Sequence, residues 1–231
     1  MNLDTANVIA TYHNIEVLQG EHLGPQMIRN MGNDRYEHQE IRAALLEIAP
    51  DDVVVEMGAG SGVVGAIIAK NCKPKRILSF EANHKLIDHI KRLYVHNNIA
   101  DRIEVRNQIV LSQTRAPEDV EFFIRGNFLG SGMVITKGMD RAEKVSVPVV
   151  KWQEIKKEVS PTVLMMDIEG AEHDFFRDAD LSGIRTIIVE LHRDVYHRKG
   201  MRQIREKMLV EKGFTEDTEA SRGGVFVFRR A

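Results

Sequence analysis

The run VVVEMGAGSGVVG, residues 53–65, constrains this chain more than any other stretch. A β-branched apolar segment of this kind reads as a strand buried on both faces, as in a parallel sheet. Three glycines at 58, 60 and 62 then allow a tight turn, and the apolar residues up to Lys70 continue as a helix. Strand, glycine turn and helix form the first half of a βαβ unit. The same alternation recurs: RILSF (76–80) with a helix over 83–98, RIEVR (102–106), TVLMMD (162–167) with a helix over 171–178, and TIIVEL (186–191) with a helix over 198–212. Strands separated by helices predict an α/β fold, a doubly wound and mostly parallel sheet. YEHQEIRAALLEIA (36–49) predicts a helix ahead of the first strand, and GVFVF (224–228) a last strand. Residues 1–35 read as an irregular lead-in with one short helix, a candidate lid. The rest, 36–231, reads as a single domain with an extended insertion around 112–146, where VEFFI, GMVIT and KVSVPVV form extended segments joined by turns.

Composition narrows the function. The 231 residues are ample for one large core, and the net charge of −2 gives no reason to expect nucleic acid as a partner. Cys72 is the only cysteine, so an intrachain disulfide and a cysteine-rich zinc site are excluded. The start MNLDTANVIATYHN lacks a basic stretch and an apolar core, and the longest apolar run, Val63 to Ala69, falls far short of a membrane span of ~20 residues. The expectation is a cytoplasmic protein with no membrane partner.

Parallel sheets bind ligands beyond the carboxyl ends of their strands. The first such end carries two overlapping patterns. Gly60-x-Gly62-x-x-Gly65 is a dinucleotide fingerprint, which would make the chain an NAD-dependent oxidoreductase. Glu56-x-Gly58-Ala59-Gly60-x-Gly62 resembles the S-adenosylmethionine loop of class I methyltransferases. A carboxylate at this place would repel a pyrophosphate but suits a ligand with a positive amino group and sulfonium. Glu56 therefore favours the methyl donor. Glu81, ending the second strand, can accept both ribose hydroxyls of either nucleotide, and Asn107 and Gln108 after the third strand can read an adenine edge.

These blocks, with YE (36–37), SFEAN, NN (97–98), VPVVKWQEI, VLMMDIEGAE and IIVELH, resemble the FkbM-type methyltransferases over roughly residues 36–192. Two positions depart from the family's usual pattern: the loop is GAGSG, and Met165 stands where a lysine is common. The resemblance implies the Rossmann-like class I fold with an antiparallel C-terminal strand closing the sheet. It also implies S-adenosyl-L-methionine as cofactor, and O-methylation of a hydroxyl on a small molecule, often a sugar or polyketide. By the same resemblance Glu37 closes over the methionine end. A non-catalytic nucleoside-binding module is the remaining alternative.

Methyl transfer to a hydroxyl calls for in-line positioning and a group that removes a proton. Asp167 stands at the ligand edge of its strand, beside the expected sulfonium and the incoming hydroxyl. Glu169 would hold the acceptor or the turn, and Glu172 starts a helix. His192, after TIIVEL, reaches the same edge and is the candidate base, with His173 second. Asp167, Glu169, Glu190 and His192 could ligate magnesium or calcium, but no pair has a firm ligand spacing and no metal is assigned. Arg193, Arg198 and Lys199 read as a solvated loop or an anion contact, and Trp152 as a packing residue.

Overall fold

β-Branched runs at every second layer of the chain build one central sheet. The computed structural model describes residues 7–125, 131–132 and 142–230. A hairpin of β1 (Val8–Tyr12) and β2 (Ile15–Leu18) precedes α1 (Pro25–Gly32) and α2 (His38–Glu47). Then come β3 (Val53–Met57), α3 (Val63–Asn71), β4 (Arg76–Phe80), α4 (His84–His96), β5 (Ile103–Arg106), β6 (Ile109–Leu111), β7 (Asp119–Ile124) and β8 (Glu143–Lys151). The chain ends with α5 (Trp152–Val159), β9 (Val163–Met166), α6 (Glu172–Asp178), β10 (Thr186–Glu190), α7 (Arg193–Glu206), a π-helical turn (Lys207–Glu211), β11 (Thr215–Glu216) and β12 (Val225–Arg229).

The seven-stranded sheet runs β11-β12-β10-β9-β3-β4-β5. Strands β5, β4, β3, β9 and β10 are parallel, whereas β12 lies antiparallel between β10 and β11. The chain order leaves β3 and moves outwards in both directions, so a switch point lies between β3 and β9. Alternate residues of each strand face opposite cores. Val54, Ile77, Val163 and Ile188 meet α2, α3, α4 and the hairpin, while Val55, Leu78, Leu164 and Ile187 meet α5, α6 and α7. Trp152 is fully buried in the second core, and its Nε1 donates to Asp180 O at 2.8 Å, which makes it the packing residue expected.

Three expectations change. The C-terminal strand β12 is antiparallel as expected, but the two-residue β11 pairs on its outer side and forms the edge in its place. Residues 7–35 are not irregular: the hairpin turns through His13 and Asn14, both at positive φ (46° and 65°), the backbone of a two-residue hairpin turn. Ile15 and Val17 of that hairpin are fully buried, and Asn97 at the end of α4 stitches β2 down through Glu16 N (2.9 Å) and Glu16 O (3.0 Å). The helix expected from 198 begins at Arg193, with a non-helical break at His197 that hid its first turn from the periodicity. In the insertion, β6, β8 and β7 form a small separate sheet containing VEFFI and KVSVPVV. GMVIT lies, apart from Gly132, outside the described residues. Among the described residues no helix is long and apolar enough to cross a membrane.

Candidate active site

The glycine loop after β3 folds back over β4. The N–H groups of Gly58 and Ala59 both donate to Phe80 O, at 2.9 and 3.0 Å. Gly58 has φ +89°, and a Cβ placed there would collide with the backbone carbonyl oxygen of Asp167. Only glycine lets the ends of β3 and β9 approach this closely. Gly60 N and Asn83 N donate to the two Glu81 carboxylate oxygens at 2.7 Å each, so Glu81 ties the loop to the start of α4. Burial pushes the Glu81 carboxyl up to about 7, and the N–H groups around it oppose that rise.

Beside this loop lies a cavity of about 190 Å³ at the carboxyl ends of the strands. Its apolar end is walled by Phe80, Ala82, Leu86, Ile109, Val110 and Phe122, and its polar wall includes Glu81, Gln108, Ser61 and Tyr36. Its far end is acidic, with Glu37, Asp167 and Glu169. Tyr36 is pinned by its hydroxyl to Ser61 Oγ (2.8 Å), and its carbonyl accepts from the Tyr12 hydroxyl (2.9 Å). Glu37 and Glu169 both hold positive φ (44° and 53°), a conformation costly for side-chain-bearing residues and retained here where the chain delivers carboxylates to the cavity.

The acidic end extends beyond the lining. Glu190 and His192 follow β10 next to Asp167; His192 Nε2 stands 3.7 Å from Asp167 Oδ1 and 3.5 Å from Glu169 Oε2. Burial, then Glu190 and Glu169, hold the Asp167 carboxyl well above the usual range. Burial, followed by the same two carboxylates, raises Glu37. The buried Glu40 is raised by burial and then by Asp167, and Glu190 by burial against the opposing effect of His192. Such mutual repulsion favours a positively charged occupant. A ligand with a flat apolar part, a vicinal diol and a cationic end would match the cavity from one end to the other.

Glu172 has a larger role than starting a helix. It is fully buried, its carboxylate accepts from Ile168 N (3.2 Å) and Gly170 N (3.1 Å), and the Tyr196 hydroxyl donates to it. It therefore holds the turn that presents Asp167 and Glu169.

Of the residues expected from sequence, Glu37, Gly58, Gly60, Glu81, Gln108, Asp167 and Glu169 line the cavity, with His192 against the last two. Ala59 and Gly62 shape the loop from behind, Gly62 N donating to Ala59 O at 2.7 Å. Glu56 does not reach the cavity. It shares a strand face with Val54 and points beneath α3, where Ser79 Oγ donates to it and the missing side chain of Gly65 leaves room for it. Burial raises the Glu56 carboxyl to about 7. The expected contact of Glu56 with a cation is thus replaced by support of the loop. Gly65, the third glycine of the dinucleotide pattern, thus makes room for the Glu56 carboxylate beneath α3. Asn107 is also a support residue, donating to Glu81 O and Ala82 O at 2.9 Å each. His173 sits exposed beside Asp174, away from the cavity. Sequence reasoning missed His22, Met27 and Phe122, which reach the cavity through long-range packing that no local pattern marks.

No curated protein matches this chain in sequence. Solved structures share its fold. An O-methyltransferase from Bacillus cereus, in complex with S-adenosylhomocysteine, superposes with a TM-score of 0.51 at 12% identity over 93% of this chain and 93% of that one. Cofactor-bound Rv0187 from MTB gives 0.51 at 13% identity, over 83% and 78%. The protein PH0793 from Pyrococcus horikoshii gives 0.50 at 16%, over 97% and 71%. The sequence pattern of the methyltransferase FkbM domain matches residues 56–216, and the chain therefore belongs to that family of S-adenosylmethionine-dependent methyltransferases.

Proposed function

We propose that this methyltransferase transfers its methyl group to a hydroxyl oxygen of a small molecule, a sugar or polyketide-type metabolite. The observation that carries this reading is the Asp167–Glu169–His192 cluster at the acidic end of the cavity. In the proposed arrangement adenine lies in the apolar end beside Gln108, and the ribose hydroxyls donate to Glu81. The methionine end then points towards Glu37 and Asp167. The acceptor oxygen attacks the methyl carbon in line as the carbon–sulfur bond breaks, leaving S-adenosylhomocysteine. The hydroxyl proton passes to His192, whose imidazolium is stabilised by Asp167 and Glu169. The segment ahead of α2 forms part of the enclosure, since His22 and Met27 reach the cavity wall.

The test is a panel of hydroxyl, amine and thiol acceptors with methyl-labelled donor; the reading expects label recovered as a methyl ether, and label found only on nitrogen, sulfur or carbon would remove it. Asp167→Asn is expected to slow methyl transfer by about 100-fold or more, with the affinity for S-adenosylhomocysteine changed only a few-fold. Steady-state kinetics beside calorimetry would separate the two effects.

Affinity for S-adenosylhomocysteine is also expected to depend on pH through Glu81. In the free protein burial pushes this carboxyl up to about 7. Two donating hydroxyls favour its ionised form, so binding below that pH must expel a proton. Affinity should be flat above about pH 8 and fall by about tenfold between about pH 8 and about pH 6. Calorimetry in buffers of different ionisation enthalpy would measure the released proton directly, and an affinity that rises on acidification would contradict the assignment.

A further inference from the structure

The cluster behind the acceptor end has the makings of a metal site as well as a proton acceptor. Asp167, Glu190 and His192 each offer one ligand atom, and all three atoms lie within 4.8 Å of one another. Two ligands bound to one ion at roughly 2.1–2.4 Å stand at most about twice that distance apart, so this spacing allows one ion to touch all three. The three residues come from the ends of two neighbouring parallel strands, β9 and β10, whose register is set by the sheet. A second observation points the same way. Asp167 Oδ1 is sealed from solvent and accepts no hydrogen bond among the described residues, and His192 Nδ1 is likewise buried without a partner. A buried carboxylate oxygen without a donor calls for a bound group.

We propose that Asp167, Glu190 and His192 bind a divalent cation, one that accepts mixed nitrogen and oxygen ligands as Mn²⁺ does. Two carboxylate oxygens with one imidazole suit Mn²⁺ better than Mg²⁺, which takes oxygen ligands and keeps its water. The position adjoins the cavity where the proposed acceptor hydroxyl approaches, so the role assigned to the ion rests on the hydroxyl-transfer reading, while its binding does not. A hydroxyl on the ion becomes more acidic. With the ion bound, the proton passes to Glu169, 3.5 Å from His192 Nε2, and His192, the base of the metal-free protein, serves as a ligand. The oxygen–methyl bond forms and the carbon–sulfur bond breaks as before.

The experiment is a titration of Mn²⁺ into untagged protein, followed by the electron paramagnetic resonance signal of the free ion, for wild type, His192→Ala and Glu190→Gln. Wild type should take up one ion per chain, and each variant should bind it about tenfold or more weakly. Both variants should keep the far-ultraviolet circular dichroism and the denaturant-unfolding midpoint of wild type, which separates loss of a ligand from loss of the fold. Wild type leaving Mn²⁺ free, or variants that bind it as tightly as wild type, would overturn the site. So would mole-for-mole displacement of Mn²⁺ by S-adenosylhomocysteine, since the carboxylates would then serve the donor's amino group. An acceptor panel that yields no methyl ether with Mn²⁺ bound would remove the hydroxyl reading and leave the ion site standing.

Discussion

Gly58→Ala is expected to destabilise the protein by about 3 kcal/mol or more and to abolish binding of S-adenosylhomocysteine. The added methyl group would overlap the Asp167 carbonyl oxygen, and a φ of +89° is unfavourable for any residue with a side chain. Relief requires the ends of β3 and β9 to separate. That movement would disturb Gly58 and Ala59, which bond to Phe80 O, and Asp167 N, which bonds to Met57 O at 3.0 Å. Gly60→Ala serves as the control. Gly60 also has positive φ (54°), but an added Cβ would meet nothing within 4 Å. It should cost only about 1–2 kcal/mol, the conformational part alone. Denaturant unfolding of the two variants isolates the steric contribution. Equal destabilisation would mean that the close approach of β3 and β9 has been misjudged.

Glu81→Ala is expected to weaken S-adenosylhomocysteine binding by at least about 100-fold. Two hydrogen bonds to a charged acceptor contribute about 1.5–3 kcal/mol each, and each 1.4 kcal/mol is about tenfold in affinity. The substitution also frees Gly60 N and Asn83 N, which Glu81 now holds. Glu81→Gln tests that part, because one amide oxygen remains to accept. It should fall between wild type and the alanine variant. Unchanged affinity in Glu81→Ala, with folding confirmed by circular dichroism, would remove the ribose assignment.

How much of this was legible in the sequence follows from what the sheet can and cannot encode. A parallel sheet brings every strand's carboxyl end to one edge, so finding the strands finds the edge. Glu81, Gln108, Asp167, Glu169 and His192 were located that way. Position along a strand does not say which face a residue takes, however. Glu56 shares the face of Val54 and goes beneath α3, where Gly65 makes room for it. The pleat was readable from the alternation of β3, but the requirement for space opposite Gly65 was not. Asn107 illustrates a second limit, since its short amide found two backbone carbonyls closer than any ligand. Position alone reads Glu172 as a helix start, whereas its carboxylate is engaged by the hydroxyl of Tyr196, 24 residues away.

The hairpin ahead of α1 was missed for a local reason. Its turn uses His13-Asn14 in place of the glycine-bearing pairs that mark such turns, although IEVL after it alternates as a half-buried strand should. The walls supplied by His22, Met27 and Phe122 were not readable at all, because they reach the cavity by packing across long separations. Glu37 is an intermediate case. Its place came from the resemblance of YE to a family motif, and its left-handed backbone, φ 44°, is what turns it towards the carboxylate cluster.

The most direct test of the account is a crystal structure of the protein with S-adenosylhomocysteine. The account expects the ribose hydroxyls within hydrogen-bond distance of both Glu81 oxygens, the adenine beside Gln108, and the sulfur facing Asp167 and His192. A ribose turned away from Glu81, or a sulfur directed away from the Asp167–Glu169–His192 cluster, would contradict it and require a different acceptor site.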